Sequence, residues 1–358
     1  MAREKTGVVV MRNTDKSRSA RRQNYLLLFI SLVIAILLLE ILLRVVLPAP
    51  IVWKYPQESY LFDPDIGHWL EGNQRAFTHD KVAITNSQGL RDIEYKRKAP
   101  PGVYRILALG DSQTFGNGLD QSDTWPKQLE ALQNSNIDGM KYEVMNSGLP
   151  ASDTWQHEII LKRMMEIYHP HAIVLGFYVN DLVTRPDAIR FSQRNDRTTS
   201  SVKWIYLIKR SALLVSVRSA YRSIRQMWEP GEGFRLQQAL LRGESNPIID
   251  KRWGQVEKSM CGMRNKTDAY GIGLLVVALP RRDQVDGRLP ADRYNQRLKE
   301  IFDRCGVRFT NMLDPLQTAY KVHGKSLFIP WDGHNSKIAN KVIAGEISEI
   351  VPSLFIGG

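Results

Sequence analysis

The 358-residue sequence is poor in cysteine, with only Cys261 and Cys305. Two cysteines cannot form the disulfide framework of a small secreted domain, and neither stands in the spacing of a zinc site. Internal repeats, low-complexity tracts and an excess of glycine or proline are also lacking, which argues against fibrous or disordered classes of protein. No pattern for a metal or other cofactor is present, and we expect neither.

Excess positive charge is confined to two segments, although the net charge of the chain is +12. Residues 1–24 carry seven Lys or Arg residues and two acidic ones, a net +5. Residues 184–228 carry ten Lys or Arg residues and two acidic ones, a net +8. The rest of the chain is therefore close to neutral, with a net charge of −1. A nucleic-acid-binding surface would spread basic residues over the fold, and we therefore expect no nucleic-acid partner.

Only one long apolar run is present, from Tyr25 to Leu47, interrupted by Ser31, Glu40 and Arg44. Its 23 residues suffice to cross a bilayer, which takes about 20 apolar residues. A basic flank before a single span places the amino terminus in the cytoplasm and the rest of the chain on the periplasmic side of the cytoplasmic membrane. Glu40 and Arg44 are one helical turn apart, so we expect them to pair near the outer end of the span.

A cleaved signal peptide is the alternative interpretation of this run. The run is long for a signal peptide, and no small-x-small cleavage pattern follows it, so an uncleaved anchor is favoured. We therefore divide the chain into a basic cytoplasmic tail (1–24), a transmembrane anchor (25–47), a connecting region (48–102) and a main domain (103–358).

Short apolar runs alternate with helical patterns after residue 102, which predicts a parallel sheet covered by helices on both faces. The expected strands are 105–109, 142–145, 172–177, 272–279 and 307–310. The expected helices are 125–133, 154–168, 251–269, 291–304 and 335–350. Residues 184–250 interrupt the alternation and form a basic insertion in the main domain.

The insertion contains one amphipathic pattern, over Lys209–Trp228. Its apolar residues recur at spacings of four and three, which places them on one helix face: Leu213, Val217, Ala220, Ile224 and Met227. Three arginines fall away from that face, at positions 218, 222 and 225. Three roles are open for this helix: a lid packed on the main domain, which is the plainest, contact with anionic lipid, or attraction of an acidic glycan.

A serine directly follows the first expected strand, in the run Gly110-Asp111-Ser112. Ligands bind at the carboxyl ends of strands in open parallel sheets, so its hydroxyl would face the binding crevice. A serine that only caps the next helix is the plain alternative, since Ser and Asp are common at helix starts.

Four short motifs in order resemble those of the SGNH (GDSL-like) hydrolases, in particular of their membrane-anchored bacterial members. They are Gly110-Asp111-Ser112, Asn146-Ser147-Gly148, Asn180-Asp181 and Asp332-Gly333-His334. The resemblance covers residues 103–358 apart from the insertion. It implies an α/β fold in three layers, with a doubly wound, flavodoxin-like parallel sheet of five strands in the order 2-1-3-4-5.

Two features depart from the usual family pattern. The glycine of the third motif, Gly176, stands four residues before Asn180 rather than two. Asp332 precedes His334 by two residues rather than the commoner three. Residues two apart in extended chain face the same side, so the carboxylate is still expected to reach the ring.

The resemblance assigns a role to each matched residue. Ser112 is the expected nucleophile, His334 its base, and Asp332 the group that orients the imidazole. The oxyanion of the tetrahedral intermediate would be bound by the backbone N–H groups of Ser112 and Gly148 and by the side-chain amide of Asn180.

Three functions remain open at this point. The first is a carboxyl-ester hydrolase that acts outside the cytoplasmic membrane on an ester-bearing substrate. The second is an O-acetyltransferase that modifies an envelope polysaccharide through the same acyl-serine. The third is a catalytically degenerate domain that binds glycan.

Two further expectations concern residues outside these motifs. The helices that carry Cys261 and Cys305 are expected to be parallel on one face of the sheet, with the two cysteines offset by about 12 Å along the helix axes, so we expect no disulfide. His79 and the segment Asn86–Arg91 receive no chemical role.

Overall fold

The computed structural model describes residues 6–135, 139–182, 210–229 and 231–355. The chain begins with a single long helix, α1 (Thr6–Val46), of which Arg21–Val46 is long and apolar enough to cross a membrane. The side chains of this apolar part are exposed almost throughout. Arg44 Nε donates to Glu40 Oε1 at 2.7 Å, which confirms the predicted pair.

The connecting region forms two antiparallel hairpins, which were not predicted. The first joins β1 (Tyr60–Asp63) to β2 (Gly67–Leu70), and the second joins β3 (Arg75–Thr78) to β4 (Lys81–Ile84). These strands have four residues each, too few for an alternating pattern to stand out from the polar sequence around them.

A five-stranded parallel sheet forms the centre of the fold, as predicted. In chain order its strands are β5 (Val103–Gly110), β6 (Lys141–Gly148), β7 (Ala172–Phe177), β8 (Gly273–Ala278) and β9 (Arg308–Asn311). Their order in the sheet is β6-β5-β7-β8-β9, with every neighbouring pair parallel. The fold class and the strand order 2-1-3-4-5 are thereby confirmed.

Helices cover both faces of this sheet. One face carries α4 (Thr154–Tyr168), α7 (Pro247–Ala269) and α9 (Asp292–Arg304). The other carries α3 (Trp125–Ser135), α10 (Leu313–His323) and α11 (Lys337–Ile350). Alternate residues of β5 enter the two cores, because successive strand side chains point to opposite faces. The result is the predicted three-layer arrangement.

Two short helices lie near the carboxyl edge of the sheet, α2 (Ser112–Phe115) after β5 and α8 (Arg282–Val285) after β8. Three glycines lie in register at the end of neighbouring strands: Gly110 faces both Gly148 and Gly176. A Cβ on Gly148 would collide with the backbone of Phe115, and one on Gly110 or Gly176 with the hydroxyl of Thr114. The helix α2 therefore lies directly against the sheet edge only because these positions have no side chain.

The described part of the insertion contains α5 (Ala212–Trp228) and α6 (Glu232–Leu241), while residues 183–209 lie outside the described residues. The predicted amphipathic helix is confirmed as α5, beginning three residues later than expected. It packs against α1. In α6, Leu240 and Leu241 are buried in the hydrophobic core that α4, α7 and α9 form with the sheet.

The prediction that the cysteines are not bridged was wrong. Cys261 and Cys305 form a disulfide, with their Cα atoms 4.7 Å apart. The prediction assumed that α7 and α9 end level with each other. In the structure the carboxyl end of α9 meets the middle of α7, where Arg304 also forms an ion pair with Glu257 at 2.7 Å. This stagger removes the expected axial offset.

We predict that the bridge resists alkylation and contributes to stability. Iodoacetamide added to unfolded, unreduced protein should give no mass shift, and prior reduction should give two adducts. Because the bridge closes a loop of 44 residues, replacing both cysteines by serine should lower the free energy of unfolding by about 2–4 kcal/mol. Alkylation of both thiols without reductant would contradict the assignment.

Candidate active site

The predicted nucleophile, Ser112, is placed by the short helix α2. Asp111 caps the helix, its Oδ1 accepting from the backbone N–H of Gln113 at 2.8 Å. Ser112 is the first helical residue and is half-buried at the carboxyl edge of the sheet. Its hydroxyl oxygen lies 2.9 Å from Nε2 of His334, so the predicted nucleophile and base form a hydrogen bond.

The loop before α11 supplies the base and its carboxylate. Nδ1 of His334 is hydrogen-bonded to Oδ1 of Asp332. Gly333 between them has a φ of 93°, which a residue with a side chain rarely adopts. Ser112 is more than 200 residues away in sequence from Asp332 and His334. The three side chains nevertheless form one continuous hydrogen-bonded chain.

A third residue contacts Asp332 and was not identified from the sequence. Nε2 of His79 lies 3.0 Å from Oδ2 of Asp332, the oxygen that His334 does not use. His79 stands in the two-residue turn between β3 and β4, with a φ of 55°. The sequence contains one signal for this role: a histidine in a two-residue hairpin turn, where Asn or Gly is usual. Left-handed backbone at such a non-glycine residue often marks a functional site.

Asn180 lies at the same edge, in the turn that follows β7. Its Nδ2 donates to Oδ2 of Asp111 at 2.8 Å, and the residue lines the cavity beside Ser112. Asp181 next to it is buried and accepts from the backbone N–H of Tyr178 at 3.0 Å. These contacts hold the Asn180 amide next to the nucleophile.

The remaining residue assigned to the oxyanion site, Gly148, is placed differently. It is buried at the end of β6, and its N–H donates to Oδ1 of Asn146 at 3.0 Å. Three residues later, Ala151 lines the catalytic cavity with a left-handed backbone, φ 64°. Among the described residues, no backbone acceptor is found for the N–H of Ala151 or of Ser112.

The connecting region supports the site at two more points. Arg91 is fully buried and donates to the carbonyls of Phe115, Gly116 and Leu119 at 2.8, 2.7 and 2.6 Å, at the end of α2. His68 on β2 bonds to the carbonyl of Pro150, next to Ala151, at 2.8 Å. No role was predicted for the segment Asn86–Arg91. In the structure its last side chain, that of Arg91, holds the end of α2.

Burial and charge shift the pKa values of the central groups. Burial opposes ionisation of Asp332, but hydrogen bonds from His334 and His79 outweigh it and hold its pKa well below the ordinary value. Burial would lower the pKa of His334, but the hydrogen bond and charge of Asp332, with the charge of Asp111, raise it above 6.5. The protonated imidazole of His334 is therefore stabilised.

The cavity beside Ser112 measures about 550 Å³ and is mainly polar. Three arginines line it, at positions 281, 282 and 288, and Phe234 and Gln237 of α6 form part of its wall. Arg281 is held by Asp283 at 2.8 Å, and its Nη1 donates to Gln237 at 2.6 Å. The insertion thus contributes to the catalytic cavity through α6.

No model of a protein family matches the sequence, and neither does any curated protein. Solved structures similar to this chain include TesA, at 14% identity over 70% of this chain and 99% of that one, with a TM-score of 0.43. The SGNH-hydrolase family esterase AlinE4 is 13% identical over 72% and 99%, with a TM-score of 0.36. A mutant of Axe2, an acetyl-xylooligosaccharide esterase from Geobacillus Stearmophilus, is 11% identical over 72% and 95%, with a TM-score of 0.42. At these identities the comparisons assign no function to this chain.

We predict that ester turnover falls as the pH drops through the raised pKa of His334, because only the neutral imidazole accepts the serine proton. Asn at position 332 removes the charge that raises this pKa. In Asp332→Asn the acid limb of the kcat/KM profile should therefore move to lower pH while the plateau falls. An acid limb that stays in place would show that Asp332 does not set the pKa of His334.

We also predict that His79 positions Asp332. His79→Leu should lower kcat about 10-fold or more with little change in KM, because a hydrogen bond to a charged group contributes about 1.5–3 kcal/mol. His79→Gln retains a donor and should recover part of that loss. Equal kcat values for His79→Leu and the unchanged protein, measured on folded samples, would exclude the role.

Proposed function

We propose that the chain is a membrane-anchored carboxyl-ester hydrolase of the SGNH type, with Ser112 as nucleophile. The observation that carries this proposal is the bonded chain Ser112–His334–Asp332, with 2.9 Å between the serine oxygen and the imidazole. A serine hydroxyl is a weak nucleophile until a neighbouring base takes its proton, and this geometry supplies that base.

The first half-reaction acylates the serine. His334 Nε2 takes the Ser112 proton as the oxygen attacks the ester carbonyl, and the carbonyl oxygen of the tetrahedral intermediate becomes negative. The imidazolium then gives its proton to the departing alcohol oxygen as the ester C–O bond breaks, which leaves an acyl-serine and a neutral His334.

Water resolves the acyl-serine in the second half-reaction. His334 takes a proton from the water as its oxygen attacks the acyl carbon. Collapse of the second tetrahedral intermediate breaks the bond to Ser112, which recovers its proton from His334, and the carboxylic acid departs. Throughout, Asp332 keeps the imidazole oriented with Nδ1 protonated.

Three donors are available for the oxyanion. The N–H of Ser112 starts α2, where backbone N–H groups have no partner within the helix. The side-chain amide of Asn180 is the second donor. The backbone N–H of Ala151 is the third and replaces that of Gly148, which already donates to Asn146. One such donor typically lowers the barrier by about 3 kcal/mol.

The cavity favours a short acyl group on a polar alcohol. Its wall combines three arginines with Gln113, Asn117 and Gln237, and a long hydrocarbon chain would leave these polar groups without water. A polar cavity of this size is suited to an acetyl ester of a sugar, and O-acetylated envelope glycan is the proposed substrate class.

The proposed location is the periplasmic side of the cytoplasmic membrane. The basic segment 1–24 followed by the apolar part of α1 favours an amino terminus in the cytoplasm. The disulfide Cys261–Cys305 supports this orientation, because structural disulfides persist in oxidising compartments and are rare in the cytosol.

A paired assay tests the function. With p-nitrophenyl acetate in water alone, the full chain should release acetate, and turnover should fall steeply with longer acyl chains. Ser112→Ala should lower kcat by about 10⁴-fold or more while the circular dichroism spectrum stays unchanged.

The same assay with an added oligosaccharide separates hydrolysis from acetyl transfer. Rates that do not depend on the oligosaccharide support the hydrolase. Turnover that requires it, with acetylated sugar as product, would replace the proposal by an O-acetyltransferase. Glycan binding without any turnover, unaffected by Ser112→Ala, would replace it by a binding domain.

A further inference from the structure

The helix α5 exposes an apolar stripe to its surroundings. The stripe residues are spaced three, four, three and four apart, which places them on one helix face: Leu214, Val217, Tyr221, Ile224 and Trp228. Tyr221 is 62% exposed and Trp228 80% exposed, so the described chain leaves them largely uncovered. Exposed apolar stripes of this length mark interaction surfaces.

Glu40 of the apolar helix α1 caps the start of α5. Its carboxylate accepts from the hydroxyl of Ser211 at 2.8 Å and from the backbone N–H groups of Ala212 and Leu213 at 2.9 Å each. Arg44 donates to the carbonyl of Arg210 at 2.7 Å. The only acidic and basic side chains within the apolar run are therefore both used to attach α5.

This attachment fixes the depth of the first turn of α5 relative to a membrane. Glu40 follows Arg22, the last basic residue before the apolar run, by 18 residues, or about 27 Å of helix. The hydrocarbon core of a bilayer is about 30 Å thick. With Arg22 at the cytoplasmic interface, Glu40 and the start of α5 lie at the outer interface.

The other faces of α5 fit the same location. Ala212 is buried beside Glu40, and two small side chains on the same helix face, Ser216 and Ser219, are half-buried. Arg218 and Arg222 are exposed beside the apolar stripe. An apolar face flanked by arginines is the pattern of a helix that lies in the membrane interface among anionic head groups.

We propose that α5 lies in the outer interface of the membrane, with its apolar stripe inserted among lipid acyl chains. This rests on the proposed anchor and is independent of the chemistry at Ser112. Trp228 is six positions before Phe234, which lies in the wall of the cavity beside Ser112, a reach of at most about 20 Å. The helix therefore holds the catalytic cavity close to the membrane surface.

Site-directed spin labelling of the full chain tests the proposal. The native cysteines are bridged, so a single introduced cysteine is labelled alone. Three variants are compared in vesicles of phosphatidylethanolamine and phosphatidylglycerol: Ile224→Cys on the stripe, Arg222→Cys off the stripe as the matched control, and Leu37→Cys in the anchor. The measurement is the accessibility of each nitroxide to lipid-soluble oxygen and to a water-soluble nickel chelate.

The oxygen-to-nickel ratio at Ile224→Cys should be several-fold above that at Arg222→Cys and approach that at Leu37→Cys. Equal ratios at positions 222 and 224 would overturn the proposal, and so would low access of both reagents at 224, which would mean that protein covers the stripe. A low oxygen-to-nickel ratio at Leu37→Cys would contradict the proposal that α1 spans the membrane. Acetate release by the same samples reports separately on the proposed hydrolase.

Discussion

The close contact between the nucleophile helix and the edge of the sheet is the constraint on which the site depends. Three neighbouring strands have a glycine at the same level near their carboxyl ends, and the absence of side chains there lets α2 lie directly on the backbone. Only in that position does the hydroxyl of Ser112 reach the imidazole of His334, which a separate loop brings over the same edge. A methyl group on Gly148 would displace the helix, and with it the hydrogen bond that activates the serine.

The connecting region is part of the candidate site, because its buried polar side chains hold three different elements of that site. Arg91 binds the carbonyls at the end of α2, His79 contacts Asp332, and His68 contacts the loop that carries Ala151. Buried polar groups are costly unless they are hydrogen-bonded, so each of these contacts fixes the relative position of two elements. The candidate active site thus combines residues of the connecting region (48–102) with residues of the α/β domain that follows it.

The layered sheet could be predicted from the alternation of apolar runs with helical patterns. Its strand order and the grouping of Ser112, Asp332 and His334 were expected from the resemblance of four motifs to the SGNH hydrolases. Contacts between other distant segments could not be predicted from the sequence. His79 meets Asp332 across 253 positions of sequence, and no local pattern records that meeting. The placement of Ala151 depends on a backbone angle rather than on a side chain. The disulfide depends on the stagger of two helices, which strand order alone does not determine.

These features fit the proposed serine hydrolase, since the imidazole of His334 is bonded to Ser112 and, among the described residues, the N–H groups of Ser112 and Ala151 have no backbone acceptor. The most direct test is the structure of the protein after reaction with an ethyl fluorophosphonate, whose phosphoryl group imitates the tetrahedral intermediate. The account predicts phosphorus bonded to Ser112 Oγ, with the phosphoryl oxygen in hydrogen-bond contact with the N–H groups of Ser112 and Ala151 and the amide of Asn180. An adduct on another residue, or a phosphoryl oxygen that points away from all three donors, would contradict it.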